Sequence, residues 1–341
     1  MAGKYGKGDT GWFVKDRLGM FIHWGTYALA ARHEWVKNRE RITDEEYQKY
    51  FNHFSPDLYD PKEWARLAKQ AGMKYFVVTT KHHEGFCLWD SKYTDYKATN
   101  TPWGKDLLRP MVDAFRAEGL KVGFYYSLLD WHHPEFPVDR RHPQRDDMEF
   151  REKTKDRDVR KYAEYMRNQV EELLTQFGTI DILWFDFSYP GEDGKGRDDW
   201  ESEKLIELVR RLQPNVIVDN RLDLPGAADI ITPDIPRFGG IQEGKKVAEL
   251  CEQHYLSFAP HNICTPVGTV ASAHLCACVP NFLALEHHGL DCPWWDDIAA
   301  DWSGPVVDRG YITLPDRPGI GVDLNEDLLR THLAAGAQWW D

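Results

Sequence analysis

Eight short apolar runs, each closing on polar side chains, constrain this chain more than any other feature. They read "GMFIHWG", "YFVVTTKHH", "KVGFYYS", "DILWFDF", "NVIVDNR", "DIITPDI", "LSFAPHN" and "FLALEHH". Runs of this length, rich in Val, Ile, Phe and Tyr, suit strands buried on both faces. Between them lie stretches with apolar residues three and four apart, such as "RKYAEYMRNQVEELLTQFG" and "IQEGKKVAELCEQH", the spacing of amphipathic helices. "PKEWARLAKQAG" and "KDLLRPMVDAFRAEGL" each carry a late glycine suited to a helix C-cap. Eight β-then-α units with no linker predict an α/β protein, a closed (β/α)8 TIM-type barrel spanning residues 1–341 as one domain. The length exceeds the usual domain, but barrels of this kind commonly reach it.

In such barrels the chemistry sits at the C-terminal ends of the strands. Here those ends supply His23, His82 with His83, Tyr125 or Tyr126, Asp186, Arg221, Asp234, His261 and Glu286. Eight polar strand ends in series are hard to credit to packing, and they predict an active site at the barrel mouth. No GxGxxG or GxxxxGK[ST] phosphate loop occurs. No HExxH or comparable metal-ligand spacing occurs either, and the adjacent histidines of "KHHEGF" cannot share one strand face. Neither a metal nor another cofactor is expected.

The formal net charge is -13, with Lys and Arg scattered among the acids. That argues against nucleic acid or an anionic membrane as partner. No window approaches the roughly 18 apolar residues of a membrane span. "MAGKYGKGDTGWFVKDR" lacks the apolar core of a secretory signal. Six cysteines, Cys87, Cys251, Cys264, Cys276, Cys278 and Cys292, contain no CxxC pair. They read as reduced, packed thiols, and the expected location is cytoplasmic.

Five segments carry a family resemblance: "WFVKDRLGMFIHWGTYAL", the Glu34-Trp35 pair, "YFVVTTKHHEGFCLWDSKYTDY", "GLKVGFYYSLLDWHHPEF" and "DILWFDF". From about residue 10 to residue 234 the chain resembles the retaining α-L-fucosidases, with the motifs in family order. The resemblance implies a glycoside hydrolase acting on fucosylated oligosaccharides or glycoconjugates. It makes Asp186 the nucleophile and places His23, Glu34, Trp35, His82, His83 and Tyr125 around fucose, with Arg221 close by. The chemistry agrees: a carboxylate can attack the anomeric carbon as an acid protonates the leaving oxygen, the two carboxyl groups about 5 Å apart. Trp35 can stack on the apolar face of the sugar. The bland alternatives are Asp186 as a helix cap and the histidines as satisfied core residues. The family often sets its acid/base glutamate in a Thr-Pro-Glu triplet after the "DNR" strand, where this chain has Thr232-Pro233-Asp234. Asp234 is one methylene shorter. Misplacement by about an ångström can cost about 100-fold in rate. A C-terminal β-sandwich, common in relatives, is not visible in the sequence.

From about residue 229 to residue 341 the likeness changes. "PDIPRFGGIQEGKKVAELCEQH", "SFAPHNICTPVGTVASAHL", "NFLALEHH" and "YITLPDRPGIGVDLNEDLLRTH" resemble the end of an enolase-superfamily acid-sugar dehydratase. There Asp234 and His261 would form a base dyad and Glu286 would close the eighth strand. The dehydratase capping domain and three metal-binding carboxylates would precede residue 229, where the fucosidase pattern stands instead. The reading is therefore a hybrid barrel: residues 1–234 carry strands one to six in the fucosidase manner, and residues 235–341 carry strands seven and eight and the tail. The leading function is a retaining α-L-fucosidase. The alternatives are an acid-sugar dehydratase and a weak sugar-binding scaffold.

Two further expectations concern the second half. An ionised Asp234 paired with His261 would have a lowered pKa, wrong for an acid. The fucosidase reading therefore expects His261 to turn away and Asp234 to act as a short acid/base; the alternative is that the pair forms and Glu286 or a water supplies the proton. The tail residues Val306, Val307, Tyr311, Ile312, Ile320 and Val322 need a new partner without a capping domain. The first half or a second copy of the chain is expected to cover them, with a homo-oligomer favoured.

Overall fold

A computed structural model describes residues 4–289 and 292–340 and divides into two compact units, Met1–Asp229 and Ile230–Asp341. In the first unit the expected strands appear as β1 (Gly19–Ile22), β2 (Tyr75–Lys81), β3 (Lys121–Ser127), β4 (Ile182–Asp186) and β5 (Ile217–Val218). They pair in chain order as one parallel sheet. Every residue of β2 is buried, as is every residue of β3 after Lys121, which explains why these runs lack polar alternation.

The crossover helices start and stop where the local chemistry demands. Asp60 accepts the backbone N–H groups of Lys62 and Glu63 and Pro61 fills the first turn of the Pro61–Gln70 helix. That helix ends just before Gly72 at φ +87°, and the Leu108–Ala117 helix just before Gly119 at φ +75°. Glycine carries this left-handed conformation without a Cβ clash. Helix Val159–Gln176 buries Tyr162, Met166, Val170 and Leu173 in one core with Phe76, Val78, Phe115, Val122, Phe124 and Leu183.

The second unit holds β6 (Ile230–Ile231) and β7 (Ser257–Phe258), a parallel pair, with helices Gly240–Gln253 and Pro266–Ala277. Its core gathers Ile235, Ala248, Phe258, Leu275 and Val279. The eighth apolar run is not a strand. Phe282 makes one parallel bridge to Phe258, and the next backbone bond on that side runs from the Glu286 N–H to Pro260 O at 3.3 Å.

The expected closure into an eight-stranded barrel is therefore corrected: the described residues form a five-stranded and a two-stranded parallel sheet. Around β5, Asp219 takes the N–H of Phe185 at 3.2 Å, and Asp229 takes those of Val218 and Gly8 at 2.8 Å each. The Asp229 backbone N–H in turn donates to Val218 O at 2.8 Å. Pro233, Pro236 and Pro260 offer no N–H for a ladder, which shortens the pairing of the segments that carry them.

The tail expectation is corrected at two of its six residues, Val306 and Val322. Val306 is buried with Val270, Trp295 and Ala299, and Val322 packs against them, so the second unit covers these two side chains itself. Tyr311 remains 79% exposed. Cys276 is buried and Cys278 exposed, and all six thiols are free.

Candidate active site

Asp186 ends β4, directly opposite Ser127 on β3, while Tyr125 stands opposite Trp184 two residues earlier. The Tyr125 hydroxyl donates to Asp186 Oδ2 at 2.6 Å and Arg221 donates to Oδ1 at 2.5 Å. Both oxygens are thereby oriented by charge-assisted or charged donors. Burial holds the Tyr125 hydroxyl well above its ordinary pKa, and the Asp186 charge adds to this, so the phenol keeps its donor proton.

His83 Nε2 lies 3.8 Å from Asp186 Oδ2. Its Nδ1 is 2.7 Å from Ser127 Oγ. Ser127 spends its own proton on Leu129 O at 2.8 Å, so the proton in the His83 contact belongs to Nδ1. Burial lowers the pKa of His83 well below its usual value, and the electrostatic influence of the neighbouring His82 and His23 rings acts in the same direction. A neutral imidazole with a bare Nε2 faces the site. It can accept a hydroxyl hydrogen.

The aromatic wall forms around this pair. Trp35 meets His83 edge-on with ring centroids 4.6 Å apart and lies 5.1 Å from Phe187 and 5.5 Å from Trp131. His23 sits edge-on to Tyr125 at 5.2 Å and to His82 at 5.7 Å, and His82 stacks with Tyr125 at 5.8 Å. Glu34 completes the group. Burial alone would raise its pKa, but His82, His33 and His23 outweigh burial and hold it below the ordinary value. All eight first-half residues expected at the site, His23, Glu34, Trp35, His82, His83, Tyr125, Asp186 and Arg221, thus gather at the ends of β1 to β5.

Sequence reasoning missed four contributors. Ser127 sets the His83 tautomer, and Trp131 backs Trp35. Phe187, next to the carboxylate, adopts φ +84°, a conformation that costs an aromatic residue of order 1–3 kcal/mol and tends to occur at functional sites. Asp219 is fully buried, and burial raises its pKa well above the carboxylate range despite nearby Arg221. Its place in "VDNR" was the one available signal.

The second unit assembles its own trio. Asp234 and His261 form a parallel bridge, and His261 Nδ1 lies 3.1 Å from Asp234 Oδ2. His261 Nε2 is 3.7 Å from Glu286 Oε2, which also accepts the N–H of Asn262 at 3.0 Å. The expectation that His261 turns away is corrected: bridge formation after β6 and β7 sets the two side chains face to face. Burial would raise the Asp234 pKa, yet the hydrogen bond and charge of His261 win and lower it. That is opposite to what a proton donor needs. Among the described residues no group of three or more His, Cys, Asp and Glu is disposed to hold a metal ion. The divalent cation of the dehydratase likeness therefore finds no fitting ligand set there.

The profile of the family described as "Alpha-L-fucosidase" matches residues 7–245. The chain belongs to the α-L-fucosidase family. A second profile, "Enolase C-terminal domain-like", matches residues 222–328, so this family member carries both patterns. Alpha-L-fucosidase isoenzyme 1 from Paenibacillus thiaminolyticus is 49% identical with a TM-score of 0.66, covering 81% of this chain and 68% of that one. Alpha-L-fucosidase AlfC from Lactobacillus casei, in complex with α-L-fucose product, is 30% identical with a TM-score of 0.58, over 66% and 74% of the two chains. Alpha-L-fucosidase 1 from Arabidopsis thaliana is 30% identical over 206 residues, 59% of this chain and 34% of that protein. D-xylonate dehydratase from Haloferax volcanii is 39% identical over 117 residues, 34% of this chain and 28% of that protein. The fucosidase-family chain thus spans about a third of the length of these curated relatives.

Proposed function

We propose that this chain is a retaining α-L-fucosidase and that Asp186 is its nucleophile. The observation that carries the reading is the double anchoring of Asp186 by Tyr125 and Arg221 at a strand end, beside the neutral imidazole of His83. In the proposed first step a carboxylate oxygen of Asp186 bonds to the anomeric carbon as the bond to the leaving oxygen breaks. The leaving oxygen takes up a proton from solvent water. A second water then attacks the anomeric carbon, the bond to Asp186 breaks to return the carboxylate, and the proton that this water loses passes back to solvent. Trp35 offers an apolar face for the sugar, and His23, His82, His83 and Glu34 offer polar atoms for its hydroxyls. Fucosylated oligosaccharides or glycoconjugates are the proposed substrates.

Because the Asp234 pKa is lowered, the clearest substrate is an aryl fucoside with a good leaving group, which needs little acid assistance. Asp186→Gly is expected to abolish its turnover while fucose binding stays measurable. Added azide should restore part of the rate and yield β-fucosyl azide. A variant retaining more than a few per cent of the original rate overturns the assignment. The formed Asp234–His261 pair favours a second reading, an acid-sugar lyase, for which water loss from an aldonate is the assay.

A further inference from the structure

We propose that Glu84 is a positioning residue: its buried carboxylate takes the Nδ1 proton of His82 and so fixes the imidazole tautomer that leaves Nε2 to accept a substrate hydroxyl. The inference rests on the fucoside reading for the identity of the substrate alone. Glu84 is 1% exposed and His82 3%. Glu84 Oε2 and His82 Nδ1 lie 3.3 Å apart; both atoms are buried and without a hydrogen-bond partner among the described residues, so each is the nearest means of satisfying the other. The other oxygen, Oε1, receives only the Thr26 hydroxyl at 3.4 Å.

Placing a carboxylate here is costly. An ionised group taken out of water loses several kcal/mol unless a partner compensates, and no Lys or Arg among the described residues lies within ion-pair distance of Glu84. His82 is the basic group it faces. The surroundings are shaped to admit it: a Cβ on Gly25 would come within 3.1 Å of Glu84 Oε1 and 2.9 Å of the Tyr27 ring. The hydroxyls of Tyr27, Tyr47 and Tyr96 are buried nearby, and after burial itself the Glu84 charge is the largest factor holding their protons on.

His82 in turn occupies the centre of the site. Its ring meets His83 at 4.0 Å, Tyr27 at 5.1 Å, His23 at 5.7 Å and Tyr125 at 5.8 Å. A histidine whose Nδ1 is engaged by a carboxylate keeps a defined orientation and a more basic Nε2. The consecutive histidines then share one design. His83 gives its Nδ1 proton to Ser127 and His82 gives its own to Glu84, leaving two bare Nε2 atoms for sugar hydroxyls.

The test reads the imidazole directly. Nitrogen-15 chemical shifts of His82, recorded at alkaline pH where the ring is neutral, should show the proton on Nδ1 in the unmodified protein. This measurement needs no variant to fold. In Glu84→Gln the side-chain amide can donate to Nδ1, so the Nε2–H form should gain population. On an aryl fucoside the same variant should raise KM about tenfold with kcat changed less than about threefold, the mark of a lost ground-state contact. A proton on Nε2 in the unmodified protein, or an unchanged tautomer in folded Glu84→Gln, overturns the proposal. Should the chain turn over no fucoside, the tautomer result still decides the Glu84 role, and only the substrate assignment falls.

Discussion

Asp234 and His261 show how a single contact decides a residue's chemistry. By type and position Asp234 could serve as a proton donor, but His261 at 3.1 Å and Arg237 at 3.4 Å favour its charged form. We expect Asp234→Asn to slow natural fucosides and activated aryl fucosides by the same factor, measured as kcat/KM on both. A selective loss on the natural substrates would restore Asp234 as the acid. The pH dependence of stability follows from the same pair. The folded-state pKa of Asp234 is lowered, so its contribution is fully present above the unfolded carboxylate value of about 3.9. It is lost as pH falls through the folded value. Urea unfolding of Asp234→Asn should therefore show a smaller loss of stability on going from neutral pH to below about pH 4 than the unmodified protein shows.

Carboxylates also decide where elements end. Beside the two-residue β5, buried Asp229 accepts the N–H groups of Val218 and Gly8 and the guanidinium of Arg210. Two backbone donors and one cation meet on this one side chain. Asp229→Ala removes the acceptor of both N–H groups and the carboxylate partner of Arg210, which keeps the carbonyls of Val216 and Ala227; breaking such a network costs about 3–5 kcal/mol. Chemical denaturation should report a loss of that order. A loss below about 1 kcal/mol would mean that water or another group takes over these donors. At the helix ends the same logic is local and readable: Asp60, Asp147 and Asp158 each cap the helix that follows within the next three residues.

On the scale of the whole molecule, two family patterns occupy one chain and overlap over residues 222–245. The division between compact units, after Asp229, falls inside that overlap. Each unit closes a core of its own, and the tail joins the second by inserting Val306 beside Val270 and Trp295. Val306→Asp would bury an unpaired charge there, a change that costs on the order of 3 kcal/mol or more. Thermal unfolding should show a clear drop, whereas substitution of exposed Tyr311 by Asp should leave the melting temperature nearly unchanged. Equal effects at the two positions would place the tail elsewhere.

What the sequence determined by itself was local or periodic. Apolar runs reported burial, three-and-four spacing reported helices, and glycines and aspartates marked their ends, because each of these signals acts within a few residues. The motifs from "GMFIHWG" to "DNR" likewise named the side chains that meet around Asp186. Only the tertiary structure decided which hydrogen-bonding groups those side chains would find. The His83 proton depends on Ser127, 44 positions away. The state of Asp234 depends on His261, 27 positions away. The eighth run meets the segment of β7 only at the Phe258–Phe282 bridge and the Glu286-to-Pro260 bond, too sparsely to make a strand. Periodicity measures which face of a segment avoids water, but protonation and strand closure depend on donors and acceptors that distant parts of the chain bring within about 3 Å, and no spacing along the sequence encodes that distance.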